Sequence, residues 1–155
     1  MTLLETFEDI AANQLSSVVT VIFADMPKAD NLINRLKTAE FPVLVIVPYK
    51  VSDHKSKSGL MKSKIPFDAF MLTRVTQPTV DFDHKHIEAV AIEPMRTLAR
   101  AFIKKFNASD IIDKETNGVE DATYDPTYSS GDAQLHGVHI TATLPVLEDI
   151  DTSCE

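Results

Sequence analysis

The chain has 155 residues, 44% hydrophobic and 25% charged, which suits one globular domain with one core. Its formal net charge of −8 argues against general affinity for nucleic acid, and its four glycines argue against a glycine-rich phosphate-binding loop. No apolar run reaches the ~18–20 residues that a membrane-spanning helix requires.

Residues 2–14 read as a helix. Thr2 and Glu5 have capping-box spacing, and Leu3, Phe7, Ile10 and Leu15 fall near one face. Residues 17–24 fit either of two forms: a strand, favoured by Val18, Val19, Val21, Ile22 and Phe23, or an extension of the first helix. Pro27 breaks the chain. A short helix then runs from Lys28 or Asp30 to Lys37, with Leu32, Ile33 and Leu36 as its apolar stripe. Phe41–Pro48 is the clearest strand. Its centre, Val43-Leu44-Val45-Ile46-Val47, is apolar on both faces and belongs in the middle of a covered sheet.

Tyr49–Lys64 has no periodicity and reads as a long, polar, basic loop, the kind that is functional or disordered in a compact domain. Phe67–Val75 is a second strand, with Phe67, Ala69, Met71 and Val75 on one face and Phe70, Leu72 and Arg74 on the other. Asp83 can cap a long amphipathic helix to Phe106, whose stripe includes Ile87, Ala91, Met95, Leu98 and Phe102. Pro94 should kink or split it near Val90–Met95; a helix that begins only at about Glu93, with proline in its first turn, is the competing form.

Residues 111–128 are acidic and turn-rich, and read as a hairpin or irregular excursion. Leu135–Val146 alternates Val138, Ile140, Ala142, Leu144 and Val146 with His139, Thr141 and Thr143, as a half-buried antiparallel strand does. The elements together predict an α+β fold: a mixed or antiparallel sheet of about four strands with two main helices packed on it. Residues 1–146 form the single domain, and 147–155 an acidic, flexible tail.

Charge is unevenly spread. Residues 49–64 carry five basic side chains and one acidic, or +4, whereas residues 110–155 carry one basic and eleven acidic, or −10. The basic group is Lys50, Lys55, Lys57, Lys62 and Lys64. It contains no arginine for bidentate phosphate or base recognition and no interleaved aromatics for single-strand binding. Its functional reading is a contact with a protein partner or a neighbouring subunit, met there by acidic segments.

No catalytic, cofactor-binding or metal-ligating residue is nominated. Asp81-Phe82-Asp83-His84-Lys85-His86 holds two carboxylates and two imidazoles, but His84 and His86 are two apart at a helix start, ~200° apart around the axis. His136 and His139 are an odd number apart on a strand and face opposite ways, His139 sharing the polar side with Thr141 and Thr143. Glu120-Asp121 falls in the acidic, loop-like stretch. Cys154 is the single cysteine, so neither an internal disulfide nor a cysteine-based zinc site is expected. The N-terminus lacks a basic region and carries Glu5, Glu8 and Asp9, unlike a secretory signal, so synthesis in a cytosol is expected.

The order of elements resembles small phage tail-completion proteins, the tail terminators and head–tail joining proteins. The resemblance is carried by Phe41-Pro42-Val43-Leu44-Val45-Ile46-Val47-Pro48, by the strand Phe70–Val75, by Leu98-Ala99-Arg100-Ala101-Phe102-Ile103 and by Gly137-Val138-His139-Ile140-Thr141-Ala142-Thr143, within residues 1–146. It is a likeness of pattern and length, with no diagnostic motif. It implies a non-catalytic virion protein that forms a ring, a hexamer in that family, at the tail end or the head–tail junction. It implies tail tube or connector proteins as partners, no membrane, no sequence-specific nucleic acid and no cofactor. Such a protein is made in the host cytoplasm and ends in the virion. The alternative from a different class is a cytosolic small-molecule-binding or regulatory α+β domain with residues 49–64 as a lid.

Overall fold

Four consecutive β-branched or aliphatic residues, Val43–Ile46, form strand β2, and each is buried. The computed structural model describes residues 3–15, 18, 20–33, 35–36, 41–49, 52–55, 61–75, 87–112, 118–128 and 135–147. Helix α1 (Leu3–Asp9) runs directly into a π-helical turn, Ile10–Gln14, with Leu3, Phe7, Ile10 and Leu15 buried as their spacing predicts. At that junction Asn13 and Gln14 donate to the Asp9 carboxylate, at 2.7 and 3.1 Å, and hold its pKa below the ordinary aspartate value. Thr2, the expected cap, lies outside the described residues.

The ambiguous segment resolves as strand β1 (Thr20–Phe23), parallel to β2. Between them stands helix α2 (Met26–Ile33), completing a β–α–β crossover. Helix α2 begins earlier than the sequence suggested. Asp25 accepts the Lys28 N–H at 3.1 Å, and Pro27 falls in the first turn, where its missing donor would have no helical partner. Pro27 therefore opens this helix rather than interrupting the chain.

Strands β3 (Ser52–Lys55), β4 (Met61–Arg74), β5 (Glu120–Tyr128) and β6 (Leu135–Leu147) complete a mixed sheet. Five strands lie in the order β1-β2-β4-β6-β5, and β3 joins β4 off that path. The α+β class holds, with more strands than the four expected. Helix α3 (Glu93–Asn107) follows a second π-helical turn, Glu88–Ile92. Asp83, expected to cap the long helix, lies outside the described residues.

At Pro94 there is neither a gap nor an uninterrupted α-helix. Proline occupies the first turn of α3, and the wider π turn precedes it. Two causes converge. Proline cannot donate to the preceding turn. The buried residues Ile87, Ala91, Met95 and Ala99 repeat every four positions, longer than the 3.6 of an α-helix, and the wider turn takes up the excess.

The sheet divides two cores. On one face, α1, both π turns and α3 cover β4 and β6. Phe7, Phe67, Phe102 and Phe106 meet there, with ring centroids 5.0 Å apart for Phe7–Phe67 and 6.0 Å for the stacked Phe67–Phe102. On the other face, Ala29 and Ile33 of α2 pack on Ile22, Val43, Val45 and Leu72. Leu98, on the apolar stripe of the long helix, packs against the first core but is only half-buried, because Met95, Ala99 and Phe102 face the sheet more directly. Arg74 ties the second core down: its guanidinium lies 4.7 Å from the Phe41 ring and donates to Leu36 O at 3.2 Å.

Candidate functional site

The basic segment is not a loop across its length. Ser52–Lys55 pairs antiparallel with Met61–Lys64, forming a hairpin that continues the sheet. Strand β2 uses the same edge of β4, from Val43↔Leu72 to Ile46↔Ala69, and Val47 N–H still donates to Asp68 O at 2.9 Å. By Ser52↔Lys64 the register has slipped by one residue. Thus β2 and β3 run along one partner strand, interrupted near Pro48, which has no N–H for the ladder. Pairing on both sides of β4, with β3 and with β6, imposes extended structure on residues that do not favour it.

The five lysines fare differently. Lys55 is registered with Met61, Lys62 with His54 and Leu147, and Lys64 with Ser52 and Pro145. The Lys64 side chain is exposed. Lys62 and Lys64 are two positions apart on β4, the same-face spacing of a strand. Lys50 and Lys57 lie outside the described residues, as do His84, His86 and Cys154.

On the sheet face opposite α1 and α3, His139 of β6 stands between Phe70 of β4 and Asp125 of β5 in register. Its ring stacks on Phe70, centroids 4.4 Å apart and planes within 5°, and its Nε2 meets the Asp68 carboxylate. Thr141 and Thr143 continue this face, exposed. His136 is fully buried, so the two histidines part as their odd spacing required. The sequence placed His139 on the polar face but gave no sign of Asp68 or Phe70 beside it. The contact joins residues 71 apart in the chain, and the β4–β6 register brings them together.

The acidic stretch after α3 is a strand as well. Val119 N–H donates to the Asn107 side chain at 2.8 Å, fixing the entry to β5 at the end of α3. Gly118 turns there with φ +82°. A bulge between Glu120 and Thr123 places Asp121 at φ 57°. Arg96 then clamps strand to helix. It donates to Tyr124 O at 3.4 Å and pairs with Glu88 at 3.4 Å and with Glu93. The Arg100 guanidinium lies 5.6 Å from the Tyr124 ring centroid.

A concavity of about 460 Å³ lies beside α3, lined by Pro94, Met95, Thr97, Leu98 and Ala101. Among the described residues no ionisable side chain lines it. Among the described residues no group of three or more histidine, cysteine, aspartate or glutamate side chains is placed to hold a metal ion, and no helix is long and apolar enough to cross a membrane.

Neither the models of known protein families nor the curated proteins contain a match to this chain.

Proposed function

We propose that this chain is a non-catalytic structural subunit of the phage tail-completion kind, a tail terminator or head–tail joining protein. Copies associate into a ring, a hexamer by the resemblance, that contacts tail tube or connector proteins in the virion. The supporting observation is the β3–β4 hairpin. It carries Lys55, Lys62 and Lys64 on paired strands at one end of the sheet, whereas the acidic strand β5 forms the far edge. A donor and an acceptor of opposite charge on separate surfaces of one chain suit a head-to-tail contact, and such contacts close into rings.

Light scattering on a sizing column, with negative-stain imaging, tests this reading. The chain should form closed rings, and Lys55, Lys57, Lys62 and Lys64 changed together to Ser should weaken association while the melting temperature stays nearly constant. Exposed ion pairs contribute ~0–1 kcal/mol each, so the loss accumulates over several lysines and shrinks as salt is raised. Unchanged association of the quadruple variant at low salt would remove the electrostatic basis of the proposal.

A further inference from the structure

On the face of the sheet opposite α1 and α3, the cluster around α2 takes in β1, β2, Leu72 of β4 and Leu135 of β6, with Phe70 packed at its margin. Toward the hairpin, the described residues leave this face open. The register orders this surface in rows. Lys64 lies beside Pro145, then Pro66 beside Thr143, then Asp68 beside Thr141, then Phe70 beside His139 with Asp125 on its far side. Lys64, Pro66, Asp68, Thr141, Thr143 and Asp125 are all exposed. Positive charge therefore sits at the hairpin end and carboxylates toward the other, with proline and threonines between.

We propose that this open face receives the β3–β4 hairpin of a second copy of the chain, an inference that rests on the assembly reading above. Charge complementarity selects the occupant. The hairpin carries lysines, and the face presents Asp68 and Asp125 around the flat Phe70–His139 ring pair. The rings give the lysine stems an apolar bed while the ammonium groups reach the carboxylates. Within one copy the Asp68 carboxylate meets the His139 ring. Lys64 and Asp68 are four residues apart on one extended strand, ~13 Å along it, so Lys64 of the same copy is not placed to pair with it and a second copy's lysine can. The hairpin end and the carboxylate end are separate parts of this one face, and the contact is heterologous when the hairpin end of one copy meets the carboxylate end of the next. Each copy that donates its hairpin end still offers its carboxylate end to the next, and the series closes when the rotation allows.

Two charge-reversed variants test the pairing. One carries Lys62→Glu and Lys64→Glu, the other Asp68→Lys and Asp125→Lys, and each is checked for folding by circular dichroism. Each alone should associate about tenfold or more weakly than the parent chain at low salt. Mixed in equal amounts they should co-assemble, because the reversed hairpin meets the reversed face and the unchanged surfaces still match. Native mass spectrometry of isotope-labelled mixtures reads the alternation. Parent-like association of the face variant would overturn this inference and leave the assembly reading to its own test. Loss in both variants without recovery on mixing would also overturn it. A parent chain that stays monomeric at every concentration would overturn both. Should the reversed face fail to fold, Asp68→Asn with Asp125→Asn substitutes: a weaker salt dependence of association supports the pairing, and an unchanged one overturns it.

Discussion

Gly137 in β6 lies so close to β4 that a Cβ on it would come within 1.9 Å of the Met71 carbonyl oxygen and 2.9 Å of Leu72 Cα. Both obstacles are backbone, so no side-chain rotation relieves the contact. Gly137→Ala must push the two strands apart at the centre of the sheet, beside the buried His136 and Val138. The expected destabilisation is about 1–3 kcal/mol or more, the range for overpacking a well-filled interior. Chemical denaturation would measure it, and a parent-like midpoint would show that the strands can separate freely there.

Phe102 and Leu98 sit one turn apart on α3 and should respond very differently to truncation. Phe102 is fully buried among Phe7 and Phe67, so Phe102→Ala should destabilise by about 3–5 kcal/mol. Leu98 is half-buried in the lining of the groove beside α3, and Leu98→Ala should cost less than about 2 kcal/mol. Equal losses for both would mean that the groove side of the helix is covered in solution.

These contrasts show which parts of the fold can be read from the chain. Val43–Ile46 declares a central strand through its own residues, and Val138–Val146 declares a half-buried one through strict alternation. Residues 52–55 and 120–128 could not be read in that way. Ser52-Asp53-His54-Lys55 has little strand preference, and β5 contains Asp121, Asp125 and Pro126. Their extended form comes from neighbours: β4 imposes it on β3 and β6 imposes it on β5. An edge position also tolerates the proline and the bulge, which would disturb an interior strand. The candidate surface was legible in its charge but not in its assembly. The lysines announced themselves, whereas Asp68, Phe70, His139 and Asp125 come from three strands and converge only through register.

Asp121 occupies the left-handed region, at φ 57°, inside the β5 bulge. An L-residue pays for that conformation through its Cβ, by about 1–2 kcal/mol, and aspartate tolerates it better than most. Its side chain is exposed, so substitutions there report mainly on the backbone. Asp121→Gly should hold stability or raise it by up to about 1 kcal/mol, and Asp121→Val should lower it by about 1–2 kcal/mol. Matched urea denaturation curves would check the order of the three. A stable valine variant would mean that the bulge rearranges.

Tyr124 gives the fold a signature at alkaline pH. Burial of its ring against α3 raises the phenol pKa above the ordinary value of 10.0, and the nearby Arg100 charge opposes that rise. A raised value means that the native state holds the proton more tightly than the unfolded chain does. The stabilising contribution is therefore complete below the unfolded tyrosine pKa and is lost as pH rises through the native one. Arg100→Gln removes the opposing charge, so the native phenol should titrate higher still. Tyrosinate absorbance follows the titration, with Tyr124→Phe assigning the signal among the three tyrosines. If that phenol titrated at or below the ordinary value in the Arg100→Gln protein, where no Arg100 charge opposes the rise, the ring would not be buried between β5 and α3.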